Sequence, residues 1–252
     1  MSSESRILQK VQTDKDFPRV SLTEPTQSGY IQLAAEVDSR PPFFPSSKSK
    51  RELLKTCKNL CEKLKQRTDV ISALTFKAVL IPPGRGEFLR KRPEVHIARF
   101  DVAILIETAS PERAKALKEE PIFTELEAAV RETARHVHLI TATNIKRMGP
   151  VDHQADGIFL FNYFYADDTE QNLAVWEYTA GWFKQQTGLD NSTLLLPENE
   201  EASEYSVINH CRWDSLWDIL PSILFKPTFG SYVLANFEAN RTAAIPILYK
   251  LA

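Results

Sequence analysis

Phe100–Leu126 reads FDVAILIETASPERAKALKEEPIFTEL, and Ser206–Tyr232 reads SVINHCRWDSLWDILPSILFKPTFGSY. Each stretch opens as a strand. In the first, Phe100, Val102, Ile104 and Ile106 alternate with Asp101, Ala103, Leu105 and Glu107, the period of two that puts successive side chains on opposite faces. A serine follows in each, Ser110 and Ser215, where a helix N-cap is needed. Pro111 suits the first helical position. Each helix then meets a Pro-x-Phe break, Pro121-Ile122-Phe123 and Pro227-Thr228-Phe229, because proline lacks the donor and clashes with the preceding turn. Ser110 aligns with Ser215, and one inserted residue brings the Pro-x-Phe breaks into line. One architectural unit occurring twice is the reading that follows.

Working outward, the same order surrounds both stretches. Residues 30–37 form a strand. Residues 50–67 form a helix with Leu53, Leu54, Cys57, Leu60, Cys61 and Leu64 on one stripe. A strand at 74–81 stops at Pro82-Pro83-Gly84, and 82–95 is a basic loop. Helix at 123–134 and strand at 137–145 complete the first unit. The second begins with a strand at 158–165 and a helix capped by Asp168 or Thr169. Leu173, Trp176, Ala180 and Phe183 make that helix's stripe, and Gly188 ends it. Strands at 193–196, 206–213 and 244–251 follow, with helices flanking Pro227.

Both units therefore read β-α-β-β-α-β, the ferredoxin-like order. The fold class is α+β, with 1–28 an extended arm or poorly ordered tail, 29–148 a first ferredoxin-like repeat and 149–252 a second. Each repeat leaves one sheet face bare, and two linked repeats can bury it against each other. A single-chain pseudo-dimeric α+β barrel, sheet on sheet with helices outside, is expected.

The bulk numbers exclude several function classes. The 252 residues carry a net charge of −2, which offers no general attraction to phosphate backbones. No apolar run is long enough to span a membrane, and MSSESRILQK has no signal-peptide core. Three cysteines, Cys57, Cys61 and Cys211, point to a reducing compartment, so a cytoplasmic protein is expected. Neither GxGxxG nor GxxxxGK[ST] occurs. Neither nucleic acid nor membrane is expected as a partner. The chain should act as a monomer that is its own pseudo-dimer, with further oligomerisation left open.

The second unit resembles the antibiotic-biosynthesis-monooxygenase branch of the dimeric α+β barrel superfamily, through Trp213-Asp214-Ser215 at the strand end and Pro227-Thr228-Phe229 beyond. Glu107-Thr108-Ala109-Ser110 and Pro121-Ile122-Phe123 resemble the same superfamily more loosely. The resemblance covers residues 30–252. Some members oxidise polyphenols or quinols without metal or flavin, and an Asn four residues before the strand Trp then faces a cavity between sheet and helices. It implies Asn209 and Trp213 as the catalytic pair here. In haem-degrading members an Asn on the first strand and a helical His join the strand Trp. Asn162 and Trp213 fill two of those places, but residues 219–225 hold no His, so no haem, and no cofactor, is implied. Ile104 and Thr108 occupy the Asn209 and Trp213 positions in the first unit, which places any such cavity in the second.

The residues themselves leave alternatives open. Asn209 interrupts an apolar face, and a buried amide needs partners; it would hold a ligand oxygen or make a structural hydrogen bond. Trp213 is a ligand wall or a packing anchor. Asn162 and Trp176 are candidate ligand contacts. His210 and Arg212 alternate with Asn209 and Trp213 and face the barrel. Arg212 aligns with Glu107, and the two are expected to pair across the interface between repeats. His136 and His138 share a face and could ligate a metal, but no third ligand is legible, so no metal site is expected. Arg85, Arg90, Lys91 and Arg92 are an anion site or a solvated loop. Three functions are compatible with this pattern: a cofactor-independent oxygenase acting on a phenolic or quinol-like substrate, a non-catalytic binder of an apolar or aromatic small molecule, or a structural or interaction protein with filled cavities.

Overall fold

A computed structural model describes residues 8–13, 15–82, 86–198 and 203–252. Its eight strands are β1 (Gly29–Glu36), β2 (Val70–Leu80), β3 (Val102–Thr108), β4 (His136–Gly149), β5 (Ile158–Ala166), β6 (Ser192–Pro197), β7 (Val207–Trp213) and β8 (Thr242–Leu251). They close into one barrel in the order β1-β3-β2-β8-β5-β7-β6-β4, antiparallel at every pairing. Within each half the order is fourth, first, third, second strand. The halves join edge to edge through β2–β8 and β4–β6. The expected stack of two sheets is thus a closed barrel, because each sheet's free edges find hydrogen-bond partners on the other.

Alternation along the strands divides the core in two. Inward residues such as Phe76, Phe159, Phe161, Ile208 and Tyr249 fill the barrel. Outward residues meet helices. In the first half α1 (Lys48–Leu64) and α4 (Pro121–Thr133) cover the sheet. Ser47 caps α1 by accepting from the Lys50 backbone N–H (3.1 Å), and the predicted leucine–cysteine stripe faces inward. Helix α3 (Pro111–Lys118) is capped by Ser110. In the second half α5 (Thr169–Thr187) runs from its Asp168 cap to Gly188, whose φ of 71° is the left-handed conformation that ends the helix. Beyond it α6 (Leu216–Phe225), a π-helical turn at Phe229–Leu234 and α7 (Ala235–Ala239) complete the cover.

Two expectations need revision. The segment read as a basic loop at 82–95 contains a short helix, α2 (Glu87–Arg90). Arg92 bonds Asp167 at 2.9 Å and stacks on Phe88, while Arg90 and Lys91 pair with Glu87; Arg85 lies outside the described residues. The described part of the N-terminal arm, expected as an extended arm or a poorly ordered tail, runs from Asn240 and Asn236 in the second half to β4 in the first, where Thr23 bridges to Arg147. Last, Glu107 and Arg212 do not pair. Both sit on inward-facing positions, but β3 and β7 are on opposite walls, with β2, β8 and β5 between them one way and β1, β4 and β6 the other. Equivalent residues of a closed barrel are related across its lumen, which aromatic side chains occupy. Glu107 instead accepts from Ser28 Oγ (2.7 Å) and the Tyr30 hydroxyl (3.0 Å). Arg212 pairs with Asp214 (2.9 Å) and donates to the Asp156 carbonyl.

Candidate functional site

The outward face of β5 and β7 carries two amides where an apolar face is the rule. Asn162 and Asn209 are directly opposite each other in the β5–β7 register. Both are buried, and both line one cavity beneath α5. Trp213 closes one side of it and Trp176 another. The four residues singled out from the sequence therefore meet at one place. Phe164, Phe183 and Phe237 fill much of the space, and the remaining void is about 30 Å³. That is room for about one water, where the sequence pattern had suggested a pocket of ligand size.

The polar groups in the cavity are unequally satisfied. Asn209 Oδ1 accepts from Ser192 Oγ at 2.5 Å, and its amide makes a long contact of 3.9 Å to Cys211 Sγ. Asn162 Oδ1 is buried with no hydrogen-bond partner. A buried carbonyl left so costs about 1–3 kcal/mol, and its lone pairs are available to any donor that enters. The Trp213 indole N–H donates to Thr187 Oγ1 (3.0 Å), and Thr187 Oγ1 donates to the Phe183 carbonyl (2.6 Å). Trp213 thus anchors the end of α5 and offers the cavity only its ring. Ser192, Cys211 and Thr187 were not singled out as site residues from sequence. Ser192 lies one residue before the strand read at 193–196, and period-two alternation extended by that residue would have placed it on the same face as Leu194.

Among the described residues, Cys211 is the one titratable side chain lining the cavity. Burial pushes its thiol well above the ordinary range, with the Asn209 contact opposing, so it is held as an inert thiol. The histidines lie elsewhere. His210 is on the inward face of β7, where its Nδ1 meets the Leu160 carbonyl at 3.0 Å and its Nε2 meets His153 Nε2 at 2.8 Å. A carbonyl only accepts, so His210 carries its proton on Nδ1 and His153 donates from Nε2. Burial lowers His153 to about 4, with Asp152 opposing and Arg212 assisting. Burial also takes His210 well below its usual value. His136 pairs with Glu204 (2.9 Å) and His138 with Gln32 (3.2 Å). Among the described residues no group of three or more His, Cys, Asp or Glu side chains is placed to hold a metal ion, and no helix is long and apolar enough to cross a membrane.

The equivalent positions in the first half hold Ile104 and Thr108. Ile104 is fully buried among the α1 and α4 side chains. Thr108, at the Trp213 position, donates to the carbonyls of Gly29 (3.1 Å) and Ser110 (2.9 Å).

Comparison with solved structures finds the same barrel in an anthrone oxidase-like protein. The TM-score is 0.65 at 11% identity, over 92% of this chain and 94% of that one. A candidate monooxygenase from Fusobacterium nucleatum subsp. nucleatum aligns with a TM-score of 0.55 at 8% identity, over 90% of this chain and 93% of its own. At such identities the likeness is one of fold, that of the α+β barrel. No family model matches the sequence, and no curated protein matches it.

Proposed function

We propose that the chain is an oxygenase-like α+β barrel that takes a small phenolic or quinol-like molecule into the cavity between β5, β7 and α5. The observation that carries this reading is the unpartnered Asn162 carbonyl, aligned with Asn209 across the strand pair in a cavity walled by Trp176 and Trp213. A hydroxyl donating to Asn162 Oδ1 would satisfy that carbonyl, and the two indole rings would contact an aromatic face. The names of the two fold neighbours, an anthrone oxidase-like protein and a candidate monooxygenase, support the same direction. The proposal includes an internal duplication with repeats at 29–148 and 149–252, supported by the matching strand order in the two halves, in which only the second repeat keeps a cavity. Asn209 and Trp213 would be the residues that meet the substrate.

A second reading, a non-catalytic binder of an apolar or aromatic molecule, is favoured by one observation. The cavity contains no group able to exchange protons near neutral pH, since its one titratable residue is a thiol pushed high by burial. Oxygen uptake with a polyphenol panel, read beside quenching of tryptophan fluorescence, separates the two. Uptake that Asn209→Ala lowers at least tenfold supports the oxygenase; saturable quenching without uptake supports the binder. Neither signal, with Asn162→Ala unchanged in both assays, removes the ligand reading.

A further inference from the structure

The N-terminal arm precedes the first half in sequence and is fastened at one end to the second half and at the other to β4. The Gln9 backbone N–H donates to Asn240 Oδ1 (2.9 Å), and Asn240 Nδ2 donates back to the Gln9 carbonyl (2.7 Å). The Val11 N–H donates to Asn236 Oδ1 (3.0 Å). At the far end the Thr23 N–H donates to the Arg147 carbonyl (3.0 Å) and the Thr26 N–H to Asn144 Oδ1 (3.0 Å). Between these anchors the backbone of residues 15–22 makes no hydrogen bond to the described residues outside the arm; within it, Thr13 Oγ1 donates to the Lys15 carbonyl (2.7 Å).

What holds residues 15–22 is side-chain packing. Phe17 meets Tyr232 edge-on with ring centroids 4.7 Å apart. Val20 is buried in one cluster with Met148, Trp176 and Ala180, and all three of those partners line the Asn162–Asn209 cavity. The Pro18 carbonyl lies so close to α5 that a Cβ at Gly181 would sit 2.0 Å from its oxygen. The middle of the arm therefore packs on the outside of α5, whose Trp176, Thr179, Ala180 and Phe183 form one wall of the cavity. A segment fastened by hydrogen bonds only at its ends opens locally at lower cost than the helices it covers. The cavity holds about one water, so a larger occupant needs part of its wall to move.

We propose that residues 15–22 are a latch whose release from α5 and Met148 opens the Asn162–Asn209 cavity to solutes. The proposal rests on the reading of that cavity as a ligand site. Its reporter is already in the wall. Cys211 is fully buried and lines the cavity, while Cys57 and Cys61 are buried in the first half. Native full-length protein is treated with N-ethylmaleimide, and the modification rate at each cysteine is read by peptide mass mapping. Gly181→Ala drives a methyl group into the Pro18 carbonyl while favouring the helix itself, and is expected to label Cys211 at least tenfold faster with Cys57 and Cys61 unchanged. Thr23→Cys/Arg147→Cys links two bridged residues whose spacing suits a disulfide; its oxidised form is expected to label Cys211 at least threefold more slowly than its reduced form. The latch is overturned if Gly181→Ala labels Cys211 at the wild-type rate, if oxidation of the linked variant changes nothing, or if Cys211 reacts only in step with Cys57 and Cys61. Where gating of Cys211 is seen but no phenol quenches tryptophan fluorescence, the ligand reading fails and the latch stands.

Discussion

Strands β3 and β7 occupy matching places on opposite walls of one barrel, yet they are finished differently. On the outward face β3 presents Ile104 where β7 presents Asn209; on the inward face β3 has Leu105 where β7 has His210. Around Ile104 the helix layer is apolar through Leu60, Leu64, Phe123 and Leu126, and the Thr75 hydroxyl opposite Ile104 is satisfied by Cys61 Sγ at 3.4 Å. Around Asn209 the layer contains Asn162, Ser192 and a void. The same scaffold thus supports one side built for packing and one that tolerates buried amides at a cost in stability. Residues that cost stability and are kept are candidates for function.

The largest test of this contrast separates the two sides. Residues 1–150 alone would leave the β2 and β4 edges without β8 and β6, and would expose the aromatic barrel face. The fragment is expected to aggregate or to melt without a cooperative transition in circular dichroism. A soluble monomer with a sharp transition would mean that the halves are independent and the comparison one between two domains.

Making the first side resemble the second should be nearly as damaging. Ile104→Asn gives up a buried aliphatic side chain and strands an amide among leucines. The expected loss is ~3–5 kcal/mol in urea unfolding. A loss below about 1 kcal/mol would show that this layer, too, accommodates polar groups.

The inward difference between Leu105 and His210 gives the second half a pH dependence. His153 titrates at about 4 in the folded chain and His210 well below its usual value, while their unfolded counterparts titrate near 6.5. Below pH 6.5 the unfolded state binds more protons, so the stability these rings contribute is full above pH 6.5 and falls as pH drops toward 4. Between pH 7.5 and 5 the expected loss from His153 is roughly 1–2 kcal/mol, with His210 acting in the same direction. His153→Phe should flatten this slope, and an unchanged slope would place its origin outside the histidine pair.

The smallest effect is expected from making the second side resemble the first. Asn162→Leu removes the unpartnered carbonyl and fills space beside the void, so stability should stay within about 1 kcal/mol of the parent or rise. A loss of 2 kcal/mol or more would mean that Asn162 is satisfied in solution, and would remove the main support for a ligand at that carbonyl.

Much of this was legible in the chain itself. Alternation in FDVAILIET assigned the two faces of β3, and the caps Ser110, Asp168 and Ser215 with the stop at Gly188 marked helix ends. The resemblance carried by Asn209, four residues before Trp213, implied a cavity on the second half's side. Such signals are short in range, since a face, a cap or a break depends on a few neighbouring residues. Closure of the barrel depended on edges distant in sequence finding each other, and it sent Glu107 to Ser28 and Tyr30 and Arg212 to Asp214. The volume left between Asn162, Trp176 and Trp213 is the small remainder after many side chains are packed, including Val20 from an arm whose sequence shows little periodicity. Pairing over long distances and residual volume are properties of the whole assembly, so only the tertiary structure decided them.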